Sequence, residues 1–277
     1  MEVLLADKCG FCHGVRNAIR IAEEILIAHT GPVYSLGPII HNTDVVKNLA
    51  QKGLQVVESV DQIKSGTVLI RSHGAAPDEI RRITEKGLKI VDATCVLVKR
   101  VQKIAAELCE KGYQVVVIGD ENHPEIRAVM GSAENVLVVA NVEDLDKLPK
   151  DTKLGVVCQT TQSPGHFGDM VNNIIRTGFS EMNVINTLCK EAMKRQESAV
   201  ELCQKVDVMF VLGGLESANT RELAQLCKKY NKSTFHLQNW SELDTISISG
   251  KNRAGVTAGA STPDWIIEEF VENLRVL

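Results

Sequence analysis

Three cysteines, Cys12, Cys95 and Cys189, divide the 277-residue chain into near-equal thirds. Each directly precedes a stretch with helical periodicity, and the segments that lead into the last two are alike, Ile90–Cys95 and Val184–Cys189. Self-similarity over such intervals indicates repeated structural units. Three equivalent thiols from three such units can meet on one pseudo-threefold axis, an arrangement that suits a metal centre with one open position.

The repeat extends well beyond the cysteines. After each opening helix the pattern gives a strand, a polar loop and a second helix, then a short strand with an acidic turn, then a third strand that ends in another polar loop. Strands that alternate with helices predict parallel sheets in α/β layers. We therefore expect an α/β fold of three pseudo-threefold-related lobes, a trefoil around a central cavity. The predicted bounds are 13–95 for lobe 1, 96–187 for lobe 2 and 188–277 for lobe 3, which the N-terminal strand 1–12 joins.

The polar loops of the repeat carry histidines, hydroxyls and amides at predicted strand ends. Ligand sites of parallel sheets lie at these ends, and the helix N-termini that follow favour anions. The loop residues expected to line the cavity are His41, His73, His123, Ser217, Asn219 and Ser261. The hydroxyls of Thr160, Thr161, Ser217 and Ser261 are equally suited to capping helices, and one hydroxyl can serve both uses.

Glu125 follows His123 and a proline at a predicted helix start, where an acidic residue often only compensates the helix dipole. Beside histidines in a cavity, the same carboxyl is a candidate proton donor. His29 and His166 lie outside the repeated loops and are expected at the surface.

Composition argues against a nucleic-acid-binding protein and against a membrane-spanning protein. Hydrophobic residues make up 44% of the chain and the net charge is −4, so no basic surface indicates nucleic-acid binding. No stretch approaches the roughly 20 apolar residues of a membrane span, and the N-terminus lacks a signal-peptide pattern. We therefore expect a cytoplasmic protein with reduced cysteines. We also expect a monomer, a prediction that composition does not decide. Cys109, Cys158, Cys203 and Cys227 fall in predicted helices and a strand and are expected in the core.

Three thiolates suit zinc or an iron–sulfur cluster, although three cysteines buried in a repeat need bind nothing. Cys9 to His13 also matches the short C-x-x-C-H pattern of covalent haem attachment, which we discount because no axial ligand stands out. Cys9 is either a further thiol near the metal or a residue at the start of the first lobe.

Nine motifs in order resemble the 4-hydroxy-3-methylbut-2-enyl diphosphate reductase family, and they cover essentially the whole chain. They are Gly10–Cys12, His41–Asn42, Ser72–Gly74, Asp92–Cys95, His123–Glu125, Gln159–Thr161, Asn186–Cys189, Ser217–Asn219 and Ala258–Pro263. The resemblance implies reductive removal of an allylic hydroxyl, giving isopentenyl and dimethylallyl diphosphate in the last step of the non-mevalonate isoprenoid pathway. Ferredoxin or flavodoxin would be the electron donor.

The resemblance also implies site residues. One 4Fe–4S cluster would be held by Cys12, Cys95 and Cys189, with its fourth iron open to substrate. Glu125 would relay protons, and Thr160 or Thr161 would orient both this carboxyl and the substrate hydroxyl; both threonines are counted as substrate-binding residues. The diphosphate would be bound by the loop residues His41, His73, His123, Ser217, Asn219 and Ser261.

The chain departs from the family pattern near these motifs. His13 replaces an apolar residue and Val96 a proline, and Cys189 is followed by Lys190-Glu191-Ala192, where the family usually has a small residue and then a threonine. Glu216 and Ala218 flank Ser217, where Lys or Asn and a small polar residue are usual. Two alternatives follow: a paralogue that reduces another small substrate, and a non-catalytic zinc or cluster module that senses redox state.

Overall fold

The computed structural model describes residues 1–28, 31–244 and 248–277, so His29 lies outside the described residues. The chain divides into two compact units. Unit 1 comprises Met1–Arg16, Ile40–Lys47 and Lys190–Leu277, and unit 2 comprises Asn17–Ile39 and Asn48–Cys189. Among the described residues, no helix has both the length and the apolar character needed to cross a bilayer.

Strands and helices alternate along the chain as the repeat predicts. The strands are β1 Glu2–Leu5, β2 Val33–Leu36, β3 Leu54–Val57, β4 Thr67–Ile70, β5 Lys89–Asp92, β6 Gln114–Ile118, β7 Leu137–Val139, β8 Lys153–Cys158, β9 Glu181–Val184, β10 Val208–Leu212, β11 Thr234–Leu237 and β12 Arg253–Ala258. The α-helices are α1 His13–Ala28, α2 Thr43–Gln51, α3 Pro77–Glu85, α4 Val96–Glu110, α5 Pro124–Met130, α6 Pro164–Ile174, α7 Lys190–Cys203, α8 Ala218–Tyr230 and α9 Asp264–Val276.

These strands form three four-stranded sheets in which every pair of neighbours is parallel. The sheet of unit 1 has the order β1-β12-β10-β11, and the sheets of unit 2 have the orders β3-β2-β4-β5 and β7-β6-β8-β9. The strand β1 comes from the N-terminus and takes the edge position that β5 and β9 hold in the other two sheets. The predicted α/β class with parallel sheets is confirmed, and the bounds of the three lobes stay a prediction.

Burial explains why these segments form strands and helices. All five residues of β10 are buried, as expected for a central strand of a parallel sheet that is covered on both faces. In α4 the buried residues are Val98, Val101, Ala105 and Leu108, so they recur at helical spacing along one face. That face packs in a core cluster with residues of β6 and β8.

The helices α1, α4 and α7 begin at His13, Val96 and Lys190, each one residue after a cysteine of the repeat. The prediction that these cysteines open helices is therefore confirmed. The other predicted core thiols also agree: Cys158, Cys203 and Cys227 are buried, and Cys109 packs partly buried against the core of unit 2.

Candidate functional site

The backbone of each repeat cysteine makes an equivalent hydrogen bond. The N–H groups donate to a carbonyl in the loop after β12, β4 or β8: Cys12 to Ala260 (3.1 Å), Cys95 to Ser72 (3.0 Å) and Cys189 to Thr160 (2.8 Å). The same bond therefore fixes each cysteine just before its helix, where N–H groups and the helix dipole favour a thiolate.

In unit 1, the Cys12 Sγ accepts a hydrogen bond from the Val15 N–H at 3.4 Å, so the sulfur itself caps the start of α1. The preceding loop is held by the buried Arg195, which donates to the Gly10 carbonyl at 2.7 Å. Burial raises the pKa of the nearby Cys9 thiol, and the positive charge of Arg195 lowers it in part.

In unit 2, Cys95 and Cys189 are close enough to interact electrostatically. Burial is the main cause that raises the pKa of Cys95, and the charges of Cys189 and Glu125 raise it further. The N–H groups of Leu97 and Val98 oppose this by lowering the pKa. Two soft sulfur donors this close together can bind one cation, which offsets the repulsion that a second thiolate exerts on Cys95, so the donor set fits a soft metal centre.

Glu125 is a buried acid of unit 2 with both carboxyl oxygens hydrogen-bonded. It is 2% exposed in the first turn of α5. Its Oε1 accepts from the Thr160 N–H at 2.8 Å, and its Oε2 accepts from the Thr160 hydroxyl at 2.9 Å. Burial raises the pKa of Glu125, and the two bonds from Thr160 lower it in part. Because the raised pKa favours the protonated form, this carboxyl holds its proton to a higher pH than an exposed glutamate and is better suited to donating it.

His123 caps the same helix. Its Nδ1 accepts from the Glu125 N–H at 3.2 Å, so the neutral ring carries its proton on Nε2. The ring of His73 meets that of His123 edge to face, with centroids 5.4 Å apart. Two imidazoles from different loops of unit 2 are therefore adjacent, and both are suited to donating to an anion.

The two threonines of the Thr160-Thr161 pair have different partners. Thr160 holds Glu125, whereas the Thr161 Oγ1 accepts from the Gln159 Nε2 at 3.4 Å. The Gln159 Oε1 in turn accepts from the Asp120 N–H at 3.1 Å. Sequence reasoning left open which threonine orients the acid, and the hydrogen bonds favour Thr160.

In unit 1, the remaining predicted anion ligands lie in the loops before α2 and after β10 and β12 and, for Asn219, in the first turn of α8. The Ser261 hydroxyl donates to the His41 carbonyl at 3.1 Å, which joins two of these loops. The Ser217 Oγ caps α8 by accepting from the Thr220 N–H at 3.4 Å. The Asn219 Nδ2 is buried without a hydrogen-bond partner in the described part of the chain, as expected of a donor that awaits a ligand.

A close approach that the sequence reasoning missed holds these loops of unit 1 together. Thr220 is fully buried, and a Cβ on Gly259 would lie 2.0 Å from its Oγ1. A Cβ on Gly213, which has a φ of +140°, would lie 3.1 Å from the same oxygen. Glycines at the ends of β10 and β12 let α8 approach both loops closely. The sequence signal was a glycine directly after each strand.

The structure also shows the surroundings of residues that depart from the family pattern. The side chain of Glu216 is 93% exposed and pairs with Arg221 at 3.7 Å, so its charge points to solvent. Ala192 is buried and brings no hydroxyl. His166, expected at the surface, is partly exposed in the first turn of α6.

Two relatives match nearly the full chain. A 4-hydroxy-3-methylbut-2-enyl diphosphate reductase of Pelobacter propionicus is 44% identical over 98% of this chain and 96% of its own length. The protein of the same name from Caldanaerobacter subterraneus subsp. tengcongensis is 42% identical over all of this chain and 98% of its own length.

Two solved structures of similarly named reductases also match nearly the full chain. A structure of (E)-4-hydroxy-3-methyl-but-2-enyl diphosphate reductase, the terminal enzyme of the non-mevalonate pathway, is 39% identical and matches all of this chain and 99% of its own, with a TM-score of 0.74. The E-1-hydroxy-2-methyl-but-2-enyl-4-diphosphate reductase from Plasmodium falciparum is 29% identical and matches 99% of this chain and 87% of its own, with a TM-score of 0.93. The family model described as LytB protein matches residues 3–275, and the chain therefore belongs to the LytB family.

Proposed function

We propose that the protein is an oxidoreductase that removes the allylic hydroxyl of 4-hydroxy-3-methylbut-2-enyl diphosphate, as its relatives are named for doing. The products are isopentenyl and dimethylallyl diphosphate, in the last step of the non-mevalonate pathway. The reaction consumes two electrons and two protons and releases the hydroxyl as water. The observation that carries the proposal is the buried carboxyl of Glu125, held at both oxygens by Thr160.

Membership in the family implies an iron–sulfur cluster, and the thiols fit one. The reduced sulfurs are soft donors, their backbone bonds are equivalent in the three repeats, and Cys95 and Cys189 interact. We assign Cys12, Cys95 and Cys189 as the ligands of a 4Fe–4S cluster whose fourth iron is open. When bound, the cluster supplies the electrons and a Lewis-acid position for the substrate hydroxyl.

Glu125 supplies a proton. Hydroxide is a poor leaving group, so the departing oxygen needs a positioned acid that makes it water. Burial keeps the carboxyl protonated at a higher pH than an exposed glutamate, because the raised pKa favours the neutral form. Thr160 fixes the direction of the carboxyl through its N–H and its hydroxyl. The second proton ends on a carbon of the product.

Binding of the diphosphate supplies energy remote from the reacting carbon, which positions the allyl group. The proposed ligands are His41, His73, His123, Ser217, Asn219 and Ser261. His123 presents its Nε2 proton, since its Nδ1 is occupied, and the unpartnered Asn219 Nδ2 offers a further donor. Glu216 points to solvent and does not oppose an anion there.

The electron donor, the oligomeric state and the compartment belong to the same proposal. A small protein carrier of the ferredoxin or flavodoxin type would deliver the electrons one at a time. We propose a cytoplasmic monomer, which size-exclusion chromatography with light scattering and cell fractionation test.

The deciding experiment is anaerobic purification followed by turnover with reduced viologen. A brown protein with about four irons per chain that converts 4-hydroxy-3-methylbut-2-enyl diphosphate supports the proposal. Colourless protein with bound zinc contradicts it and favours a non-catalytic module. An intact cluster without turnover contradicts the substrate assignment and favours a paralogue with another small substrate.

A further inference from the structure

A glutamate of α7 accepts a hydrogen bond from the first N–H group of α1, and both residues belong to unit 1. The Glu191 Oε2 accepts from the His13 N–H at 3.0 Å. The first N–H groups of a helix have no partner within it, and α1 has no acidic residue in its own first turn. Glu191 lies in the first turn of α7 and so supplies the negative charge that the N-terminus of α1 favours.

The N–H group that donates to Glu191 and the N–H group that donates to Cys12, a proposed cluster ligand, lie in the same turn of α1. The Cys12 Sγ accepts from the Val15 N–H at 3.4 Å, two residues along from the donor to Glu191. At a rise of about 1.5 Å per residue, the two N–H groups are roughly 3 Å apart along the helix axis. Glu191 also follows Cys189 by two residues.

We propose that Glu191 is a positioning residue that fixes the start of α1, and with it Cys12, and that its charge lowers the reduction potential of the bound cluster. The inference rests on the proposed function. Reduction adds an electron to the cluster, so a nearby negative charge favours the oxidised form.

The test compares three variants of the anaerobically purified holoprotein. E191Q keeps an acceptor oxygen and removes the charge, and E191A removes both. E197Q removes a charge that is exposed, as that of Glu191 is, and that lies about 9 Å further along α7. The readouts are iron per chain and the midpoint potential from a redox titration followed by electron paramagnetic resonance. We expect E191Q to keep its iron with a higher midpoint potential, and E197Q to match the wild type.

A second readout is independent of the loaded enzyme. In the metal-free protein, E191A is expected to speed hydrogen exchange of the His13 amide about tenfold relative to the wild type, because the amide loses its acceptor. Unchanged exchange overturns the positioning role. A wild-type potential in E191Q, or loss of its cluster, overturns the electrostatic role.

These outcomes are separable from failure of the proposed function. A wild-type protein that holds no cluster overturns both proposals together. Wild-type protein with a cluster and turnover, beside an E191Q protein of equal potential, overturns the electrostatic role of Glu191 alone.

Discussion

The proposed acid in unit 2 and the proposed anion ligands in unit 1 satisfy their polar groups differently. Both oxygens of Glu125 already accept hydrogen bonds, and both come from Thr160. In unit 1, by contrast, the Asn219 Nδ2 at the start of α8 is buried without a partner in the described part of the chain. Ser217 and Ser261 have partners, but each is a backbone group.

The difference follows from what each region must do. An acid must have its orientation fixed before substrate arrives, because a misplaced proton cannot be transferred efficiently. An anion site needs donors that the free protein leaves available. A buried donor without a partner costs about 1–3 kcal/mol, and a bound ligand offsets that cost. The acid region is therefore expected to respond to mutation in kcat, and the anion region in KM.

The largest expected effect is on the acid. Glu125→Gln keeps an acceptor for the Thr160 N–H and removes the proton to be transferred. We expect kcat to fall on the order of 10²- to 10⁴-fold with KM little changed, measured anaerobically with reduced viologen at full iron content. Glu121→Gln is the matched control, because Glu121 is exposed in the loop that leads into α5. Full turnover of the Glu125→Gln protein would show that the acid lies elsewhere.

The next effect separates the anion region from ordinary structural amides. Asn219→Ala removes a donor that the free protein does not use, so we expect KM to rise about 10- to 100-fold while the free energy of unfolding is unchanged or higher. Asn231→Ala is the contrast, because the Asn231 Nδ2 donates to the Val206 carbonyl at 3.0 Å. That variant should lose about 1–3 kcal/mol of stability and keep its KM. Equal KM values for both variants would remove Asn219 from the site.

A third prediction addresses the packing that holds the loops of unit 1. Gly259→Ala places a Cβ 2.0 Å from the Thr220 Oγ1, so we expect about 1–3 kcal/mol of destabilisation and a higher KM. Thr220→Ala in the same chain removes the nearest atom and should restore part of the stability. Gly165→Ala in α6 meets nothing within 4 Å and serves as the control. Urea unfolding measures the stability, and equal stability of Gly259→Ala and wild type contradicts the packing argument.

Local pattern was enough to predict the strands, the parallel sheets and the helices that start after Cys12, Cys95 and Cys189, because periodicity reports burial directly. It did not distinguish Thr160 from Thr161, since adjacent hydroxyls at a strand end differ only in the direction that the backbone gives them. It predicted that the N-terminal strand joins the third lobe but did not name β12 as its partner, because periodicity does not specify which strands of a sheet are neighbours.

Contacts between segments distant in the chain could not be predicted from the sequence either. The hydrogen bond from His13 to Glu191 joins residues 178 positions apart, and the close approach of Thr220 to Gly259 depends on how α8 packs on its sheet. Such pairs carry no periodic signal. The only local signs of these contacts in the sequence are the acidic Glu191 shortly after Cys189 and a glycine directly after a strand, Gly259.

The smallest expected effect is the pH dependence of stability that the buried acid produces. Because burial raises the pKa of Glu125 above its ordinary value of about 4.5, the folded protein binds more protons than the unfolded chain between the two values. Stability of the wild type should therefore fall, relative to Glu125→Gln, as the pH rises above about 4.5, with a slope of at most about 1.4 kcal/mol per pH unit. Below that pH both states are protonated and the difference should be constant. Urea unfolding at a series of pH values measures it, with Glu121→Gln giving the effect of removing an exposed carboxylate. Parallel curves for wild type and Glu125→Gln would mean that the carboxyl is ionised as easily in the folded protein as in the unfolded chain. Glu125 would then not be a buried acid that stays protonated, and the contrast with the unpartnered donor of the anion site would be lost.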